Sequence, residues 1–336
     1  MLNRYSLYSL LPHNTFGIDV KAAQFVEFDS EEELVNLIQS GISLPVLTIG
    51  AGSNLLFMND YKGTVLHSRI FGVEVVSESD NDLLLRVGSG MNWDNLVAYT
   101  VEMGWQGLEN LSIIPGEVGA SAIQNVGAYG VEAGDCIECV DAISLLDGSK
   151  RCFSNYECCY SYRNSIFKME EKGKYVITYV TYRLRKNPEY TLDYANLCEL
   201  VAEKGAPTPA LIREIIKEIR SAKLPDPAVL GSAGSYFMNP VVSQEHAAEL
   251  AMQYPQMPQY DTADGKKKLS AAWLIDACGW KGKKIGAVGV YQKQPLVIVN
   301  HGGATGQEIL DFSSQIVASV KEKFGVTLVR EVNVIE

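Results

Sequence analysis

LPVLTIGAGSNLLFMNDYKGTVLH, residues 44 to 67, is the stretch that decides the fold class. Leu44 to Ile49 is a short apolar run that reads as a buried strand, and Gly50-Ala51-Gly52-Ser53-Asn54 follows it as a glycine-rich loop. Beyond the turn-like Asn59-Asp60-Tyr61-Lys62-Gly63, Thr64 to His67 reads as another strand. A dinucleotide-binding βαβ unit needs a third glycine and an immediate helix, and this segment has neither. Strand, glycine loop, strand is a different device, in which glycines admit close approach and the loop amides can cradle a diphosphate. Taken alone, these residues also fit an ordinary hairpin-like turn.

Upstream, Ser30-Glu31-Glu32-Glu33 has the capping-box pattern and leads into Leu34, Leu37 and Ile38 at helical spacing, which predicts a short helix. Downstream, Leu83 to Gly90 reads as a strand, and the residues from Asn92 as a helix with Trp93, Leu96, Val97, Thr100 and Val101 on one face. IIPGEVGASAIQNVGAYG, residues 113 to 130, carries four glycines and small alanines. Backbone so poor in side chains costs chain entropy that a ligand packed against it offsets; a long irregular loop is the alternative. Tyr175 to Leu184 alternates as a sheet strand, and Thr208-Pro209 opens a helix carrying Leu211, Ile212, Ile215, Ile216 and Ile219. Lys223-Leu224-Pro225-Asp226-Pro227 ends that helix and marks a domain boundary. The last third holds a second glycine loop, Gly231 to Ser235, and three helices, the clearest running from the capping box Thr305 to Glu308 up to Gly325. Val326 to Ile335 then alternates as a strand, with Val326, Leu328, Arg330, Val332 and Val334 on one face and Thr327, Val329, Glu331 and Asn333 on the other.

A chain of 336 residues exceeds one typical core, so two or three domains with a cleft between them are expected. Composition, 47% hydrophobic and 21% charged, is that of a soluble globular protein. Polar residues and Pro12 break Met1 to Gly17, so no signal core forms, and no apolar run reaches the roughly 20 residues of a membrane span; the expectation is a cytoplasmic protein with no membrane partner. A formal charge of −11 disfavours nucleic acid and requires any anionic substrate to be held by locally placed cations. The seven cysteines suggest reduced thiols. Cys136 and Cys139 have C-x-x-C spacing, but no matching second pair follows and only four histidines exist, so strand residues and no metal are expected.

Five segments in order, IGAGSNLLF at 49 to 57, IPGEVGASAIQNVGAYGVE at 114 to 132, YRNSIFK at 162 to 168, GSAGSYFMNP at 231 to 240 and REVNVI at 330 to 335, resemble the UDP-N-acetylenolpyruvoylglucosamine reductase family, the UDP-N-acetylmuramate dehydrogenases or MurB proteins. The insertion from Asn187 to Leu197, with Tyr190 and Tyr194, resembles the longer class of that family, in which a tyrosine loop covers the substrate. The resemblance implies an α+β protein with an FAD-binding fold of the vanillyl-alcohol oxidase type. Its two α+β subdomains would occupy residues 1–70 and 71–223, a smaller α+β substrate-binding domain 224–325, and a C-terminal strand, 326–336, would return to the active site. FAD is the implied cofactor, NADPH the electron donor, UDP-N-acetylglucosamine enolpyruvate the small-molecule substrate, and a monomer the implied state. Gly50, Ala51, Gly52, Ser53, Asn54 and Leu55 would hold the FAD pyrophosphate. Ile114, Pro115, Gly116, Gly119, Ala120, Gln124, Asn125, Gly127, Ala128 and Gly130 would lie along the flavin and its ribityl chain.

The family reaction places hydride on the terminal carbon of an enol ether and leaves negative charge that spreads onto the conjugated carboxylate. Arg163 matches the arginine that stabilises that charge, and its planar fork suits the task. Glu331 matches the glutamate that polarises the same carboxylate; sharing a face with Val329 suggests partial burial, and a neutral form would avoid repulsion. Ser235 matches the serine that donates the proton. Tyr162 shapes the same pocket, and Tyr194, Lys223, Asn239, Lys281 and Gln294 match contacts to the nucleotide sugar. One departure is Met238, where relatives often carry lysine and for which Lys283 or Lys284 could substitute; Arg330, where proline is common, alters only the strand entry. A sugar or alcohol oxidase of the same fold is the runner-up, disfavoured because His13, His67, His246 and His301 all fall outside the two flavin segments and so offer no tether. A non-catalytic nucleotide-sugar sensor would have no use for Arg163, Ser235 and Glu331 together.

Overall fold

The computed structural model describes residues 2–187, 189–194, 196–262 and 264–336. Two units emerge, each assembled from three stretches of chain: Met1–Tyr8, Ala22–Ala51 and Tyr61–Ala222 in the first, Ser9–Lys21, Gly52–Asp60 and Lys223–Glu336 in the second.

In the first unit a four-stranded sheet runs in the order Asn3–Ser9, Lys21–Phe28, Tyr61–Ser68, Val46–Ile49. Tyr61–Ser68 is parallel to both its neighbours, which calls for a crossover, and the helix Glu31–Gln39 lies in it. Ser30 caps that helix as expected, its hydroxyl accepting from Glu33 N at 3.2 Å, while the Glu33 carboxylate accepts from Asp29 N at 2.9 Å. Leu34 and Leu37 pack with Val26, Phe28 and Leu66. The run from Leu44 is less covered than its apolar composition suggests. Val46–Ile49 is an edge strand, so only Ile49 is buried and Leu44 is 80% exposed.

A five-stranded antiparallel sheet follows, ordered Lys150–Ser154, Ile137–Ser144, Tyr175–Arg185, Asp82–Gly88, Val73–Glu78. Tyr175–Arg185 is central and covered on both faces, so Val176, Ile177 and Thr178, then Val180, Thr181 and Tyr182, are buried in succession instead of alternating. The helices Trp93–Glu102 and Val118–Gln124 contribute Trp93, Leu96, Val97, Val118 and Ala122 to the core on this sheet. A helix pair, Leu197–Lys204 and Pro209–Lys223, buries Leu197, Val201, Ile212, Ile215 and Ile216. Tyr190 and Leu192 of the insertion pack against that pair; Pro188 and Ala195 of the same insertion lie outside the described residues.

The second unit carries a four-stranded sheet, Gly231–Ser235, Val297–Asn300, Val288–Val290, Lys284–Ile285, and a three-stranded one, Val241–Val242, Lys267–Leu269, Gln259–Asp261. The second glycine loop is therefore a strand, paired antiparallel with Val297–Asn300 and bulged between Ser232 and Ser235. Its glycine has an internal cause: a Cβ on Gly231 would stand 2.5 Å from Phe16 O. The helix Gly306–Phe324 has the expected reciprocal Thr305–Glu308 cap and ends at Gly325 with φ +69°. Burial alternates only from Val326 to Val329 and then blurs, with Arg330, Glu331, Asn333, Val334 and Ile335 all half-buried, and the strand Asn333–Ile335 runs parallel to Leu55–Phe57. Val329 is 56% exposed, so its face does not account for the half-burial of Glu331.

Candidate functional site

Arg163 organises the site in the first unit. Its backbone sits in the left-handed region at φ +55°, an arrangement that persists only where surroundings enforce it. Nη2 donates to Gly127 O, Nη1 lies 3.5 Å from Glu132 Oε1, and the guanidinium is 5.1 Å from the Tyr162 ring centroid. Lys168 Nζ fixes the backbone from below, donating to Arg163 O at 2.7 Å and to Gln124 Oε1 at 3.0 Å. Asn125 joins the pieces: at φ +48° and 1% exposed, it donates through Nδ2 to Glu132 Oε2 at 2.7 Å and Ser161 O at 2.9 Å, and accepts from Gly134 N at 2.8 Å. The end of the helix Val118–Gln124, the hairpin Gly127–Ala128 with Val131–Glu132, and the Tyr162-Arg163 turn are thereby locked into one arrangement.

The stretch from 113 to 130 is thus a short helix and a hairpin, not bare loop. Several of its glycines are required by the chain itself. A Cβ on Gly119 would meet Ser89 Cβ at 2.9 Å, and one on Gly127 would meet Arg163 Nη1 at 2.6 Å.

One residue passed over in the sequence stands out here. Arg220 Nε is buried with no hydrogen-bond partner, and Nη2 is 3.5 Å from Ile113 O. Burial is the largest influence on this guanidinium and lowers its pKa; Tyr129 and Asp94 oppose that effect and Arg163 adds to it. An unsatisfied buried cationic donor is costly, and an anionic or carbonyl oxygen from a ligand would satisfy it. The sequence did hold a signal. Arg220 follows Ile212 and Ile216 at intervals of four, on the apolar stripe of its helix. Asp94 anchors the same region, accepting from Ile113 N at 2.6 Å and from both Arg213 terminal nitrogens at 2.6 and 2.8 Å.

In the second unit, hydrogen bonds link the segment around Glu331 to Tyr236, which follows Ser235, and to Asn54 of the glycine loop. Glu331 N donates to Tyr236 O at 2.9 Å, placing Glu331 one residue from Ser235 across the antiparallel bridge Phe237 to Arg330. Asn54 Nδ2 donates to Glu331 O at 3.2 Å, and Asn333 N donates to Asn54 O at 3.0 Å. Gly52, at φ +65°, passes so close to His13 that a Cβ would stand 1.8 Å from the His13 carbonyl oxygen.

Two family models match the chain, "FAD binding domain" over residues 22–151 and "UDP-N-acetylenolpyruvoylglucosamine reductase, C-terminal domain" over 226–335. A UDP-N-acetylenolpyruvoylglucosamine reductase of Bacteroides fragilis is 52% identical over 329 residues, 98% of this chain and 99% of that protein. One of Porphyromonas gingivalis is 46% identical over 98% of each chain. The chain belongs to the UDP-N-acetylenolpyruvoylglucosamine reductase family. In fold it is also similar to the crystal structure of the family's Thermus caldophilus member, with a TM-score of 0.69 at 22% identity and coverage of 100% of this chain and 99% of that one.

As a member of this reductase family the protein is an FAD-binding oxidoreductase of α+β fold. Among the remaining expected contacts, Asn239 Oδ1 accepts from Ala271 N at 3.0 Å, tying it to the helix Ala271–Ala277. Gln294 Oε1 accepts from Leu296 N at 3.4 Å, Lys281 Nζ lies 3.5 Å from Asp276, and Lys223 is exposed. Tyr194 stacks edge-on against Tyr129 at 5.8 Å. Lys283 Nζ lies 3.9 Å from the Trp280 ring centroid, and Lys284 is exposed in the strand Lys284–Ile285. Cys136 donates to Gly107 O at 3.3 Å, and burial pushes its thiol up to about 12; among the described residues no cluster of metal-ligating side chains occurs, and no helix is long and apolar enough to cross a membrane. All four histidines stay outside the two flavin segments in sequence; in space the His13 backbone carbonyl abuts Gly52, and His67 bonds Glu117, which packs against Gly50.

Proposed function

We propose that this reductase converts UDP-N-acetylglucosamine enolpyruvate into UDP-N-acetylmuramate for peptidoglycan synthesis, using FAD and NADPH. The observation that supports the reading is the Glu331 N to Tyr236 O hydrogen bond, which joins Glu331 to the residue that follows Ser235. FAD, when bound, supplies the hydride. Gly50 to Leu55 and Ile114, Pro115, Gly116, Gly119, Ala120, Gln124, Asn125, Gly127, Ala128 and Gly130 would hold it, and the orphaned Arg220 Nε supports the fit by offering a donor to an oxygen of the bound group.

Arg163 acts on the carboxylate of the substrate. Because Gly127 O and Glu132 already fix its fork, it can stabilise growing negative charge without reorganising. Glu331 polarises the same carboxylate, and Ser235 Oγ delivers the proton to the carbon that carries the charge. Tyr162, Tyr194, Lys223, Asn239, Lys281 and Gln294 hold the nucleotide sugar, with Lys284 standing in at its diphosphate. FAD binding is assigned to 1–70 and 71–223, substrate binding to 224–325 and the return to the active site to 326–336, in a monomer that works in the cytoplasm. The test is Ser235→Ala: NADPH should still bleach the flavin at the normal rate, and reoxidation by the enolpyruvyl substrate should slow by about 10³-fold. Two fast half-reactions would remove Ser235 from the mechanism.

A further inference from the structure

His67 lies in the strand Tyr61–Ser68 with a carboxylate oxygen at each ring nitrogen: Glu27 Oε1 is 3.1 Å from Nδ1, and Glu117 Oε1 is 3.0 Å from Nε2. A neutral imidazole has one N–H and one lone pair, so it can donate to one of these carboxylates and must point its lone pair at the other. Two donated hydrogen bonds require an extra proton. The ring is 6% exposed and closely surrounded. Ile49 pairs with it across the sheet, the Phe25 ring lies 6.0 Å away and is itself stacked with Tyr8, and Arg69 Nη1 is 3.7 Å from Glu27. Burial by itself would push the imidazole's pKa down; the hydrogen bonds and charges of Glu117 and Glu27 outweigh it and raise the value above the ordinary 6.5.

The second oxygen of Glu117 is where this matters. Oε2 is 3.1 Å from where a Cβ on Gly50 would stand, so the carboxylate packs directly against the first residue of the glycine loop. With the proton in place, Glu27, Glu117, His67 and Arg69 sum to zero; without it they leave one negative charge beside that loop.

We propose that His67, held as an imidazolium between Glu117 and Glu27, is a positioning residue that keeps the Gly50 loop able to accept the diphosphate of FAD, so that FAD is released more readily when this proton is lost. The inference rests on the reading of Gly50 to Asn54 as the diphosphate loop. Sequence separations of 40 and 50 residues hide the constellation from any linear reading.

The experiment uses the full chain, stripped of flavin and retitrated with FAD by fluorescence between pH 6.5 and pH 9. The Kd should rise about tenfold across that range, the scale set by one unscreened charge a few ångströms from a diphosphate. Glu117→Gln removes both the charge and the need for the proton, and should bind FAD tightly with a flat profile. His67→Gln should be flat and weak throughout. A wild-type Kd that does not change with pH, or a Glu117→Gln protein that keeps the wild-type slope, overturns the proposal. Folded protein that takes up no FAD at any pH overturns the loop reading instead, an outcome recognisable because no Kd can be measured. Should the variants misfold, ring nitrogen chemical shifts of His67 in the wild-type chain decide: both nitrogens protonated at pH 7 supports the proposal, and one bare nitrogen beside an ionised glutamate refutes it.

Discussion

Replacing Gly52 by alanine separates two reasons for a glycine, and the structure gives both a size. At φ +65° any residue with a Cβ is strained by about 1 kcal/mol. Gly52 carries a second burden, because its Cβ would stand 1.8 Å from His13 O and 2.6 Å from His13 C, where real Cβ contacts below 3.0 Å essentially never occur. Both atoms are backbone, so no side chain can swing aside and the loop or the His13 turn must retreat by about 1 Å, a misplacement of the kind that costs about 100-fold at a binding or catalytic site. Gly173 provides the control: φ is +72° there too, but nothing lies within 4 Å. Gly173→Ala should lose about 1 kcal/mol of stability and keep its flavin. Gly52→Ala should lose about 3 kcal/mol in all and weaken FAD about 100-fold, read from flavin absorbance per protein and from flavin titration. If the two variants retain FAD equally, the close passage of the loop over His13 does not shape the cofactor site.

Other outcomes follow from charges with known partners. Asp94→Asn strips Arg213 of a bidentate carboxylate in a site where the arginine side chain is only 13% exposed, and should cost about 3 kcal/mol in denaturant unfolding. Burial tends to raise the Asp94 pKa, but Arg213, Ile113 N–H and Lys217 outweigh it and hold the value below the ordinary 3.8; its stabilisation is present above that pH and lost as pH falls through the lower folded value. The variant should therefore show a shallower acid limb, and an unchanged limb would assign the acid sensitivity elsewhere. Arg220→Gln should leave the flavin-free protein as stable as before, or more so, since an incompletely paired buried charge is removed, while weakening FAD about tenfold. Loss of stability without loss of FAD affinity would make Arg220 a purely structural residue.

Features set by a few neighbouring residues were legible in the sequence. The caps at Ser30 and at Thr305 to Gly325, the helix after Asn92 and the apolar face of Pro209–Lys223 all depend on contacts within one or two turns. What depends on distant chain was not. Leu44 to Ile49 has the composition of a buried strand but sits at a sheet edge, and Gly231 to Ser235 has the composition of a loop but is paired by Val297–Asn300. Two glycines taken as bare surface for a ligand, 119 and 127, are demanded by Ser89 and Arg163, and Gly231 of the second glycine loop is demanded by Phe16, partners 30 to more than 200 residues away in sequence. Arg163 was singled out only through resemblance, and its fixing by Gly127 O and Glu132 was not legible, because hydrogen bonds to a carbonyl leave no trace in residue type.

The interleaving of the two units shapes how the molecule can be made. Ser9–Lys21 and Gly52–Asp60 leave the ribosome early, yet they belong with residues that follow Ala222. Asn54 must wait 279 residues for Asn333, roughly tens of seconds of translation, during which the strand Leu55–Phe57 has no mate. A nascent chain therefore completes its first unit with two orphaned segments still dangling, and a fragment cut at the C-terminal match, 226–335, would be born without them.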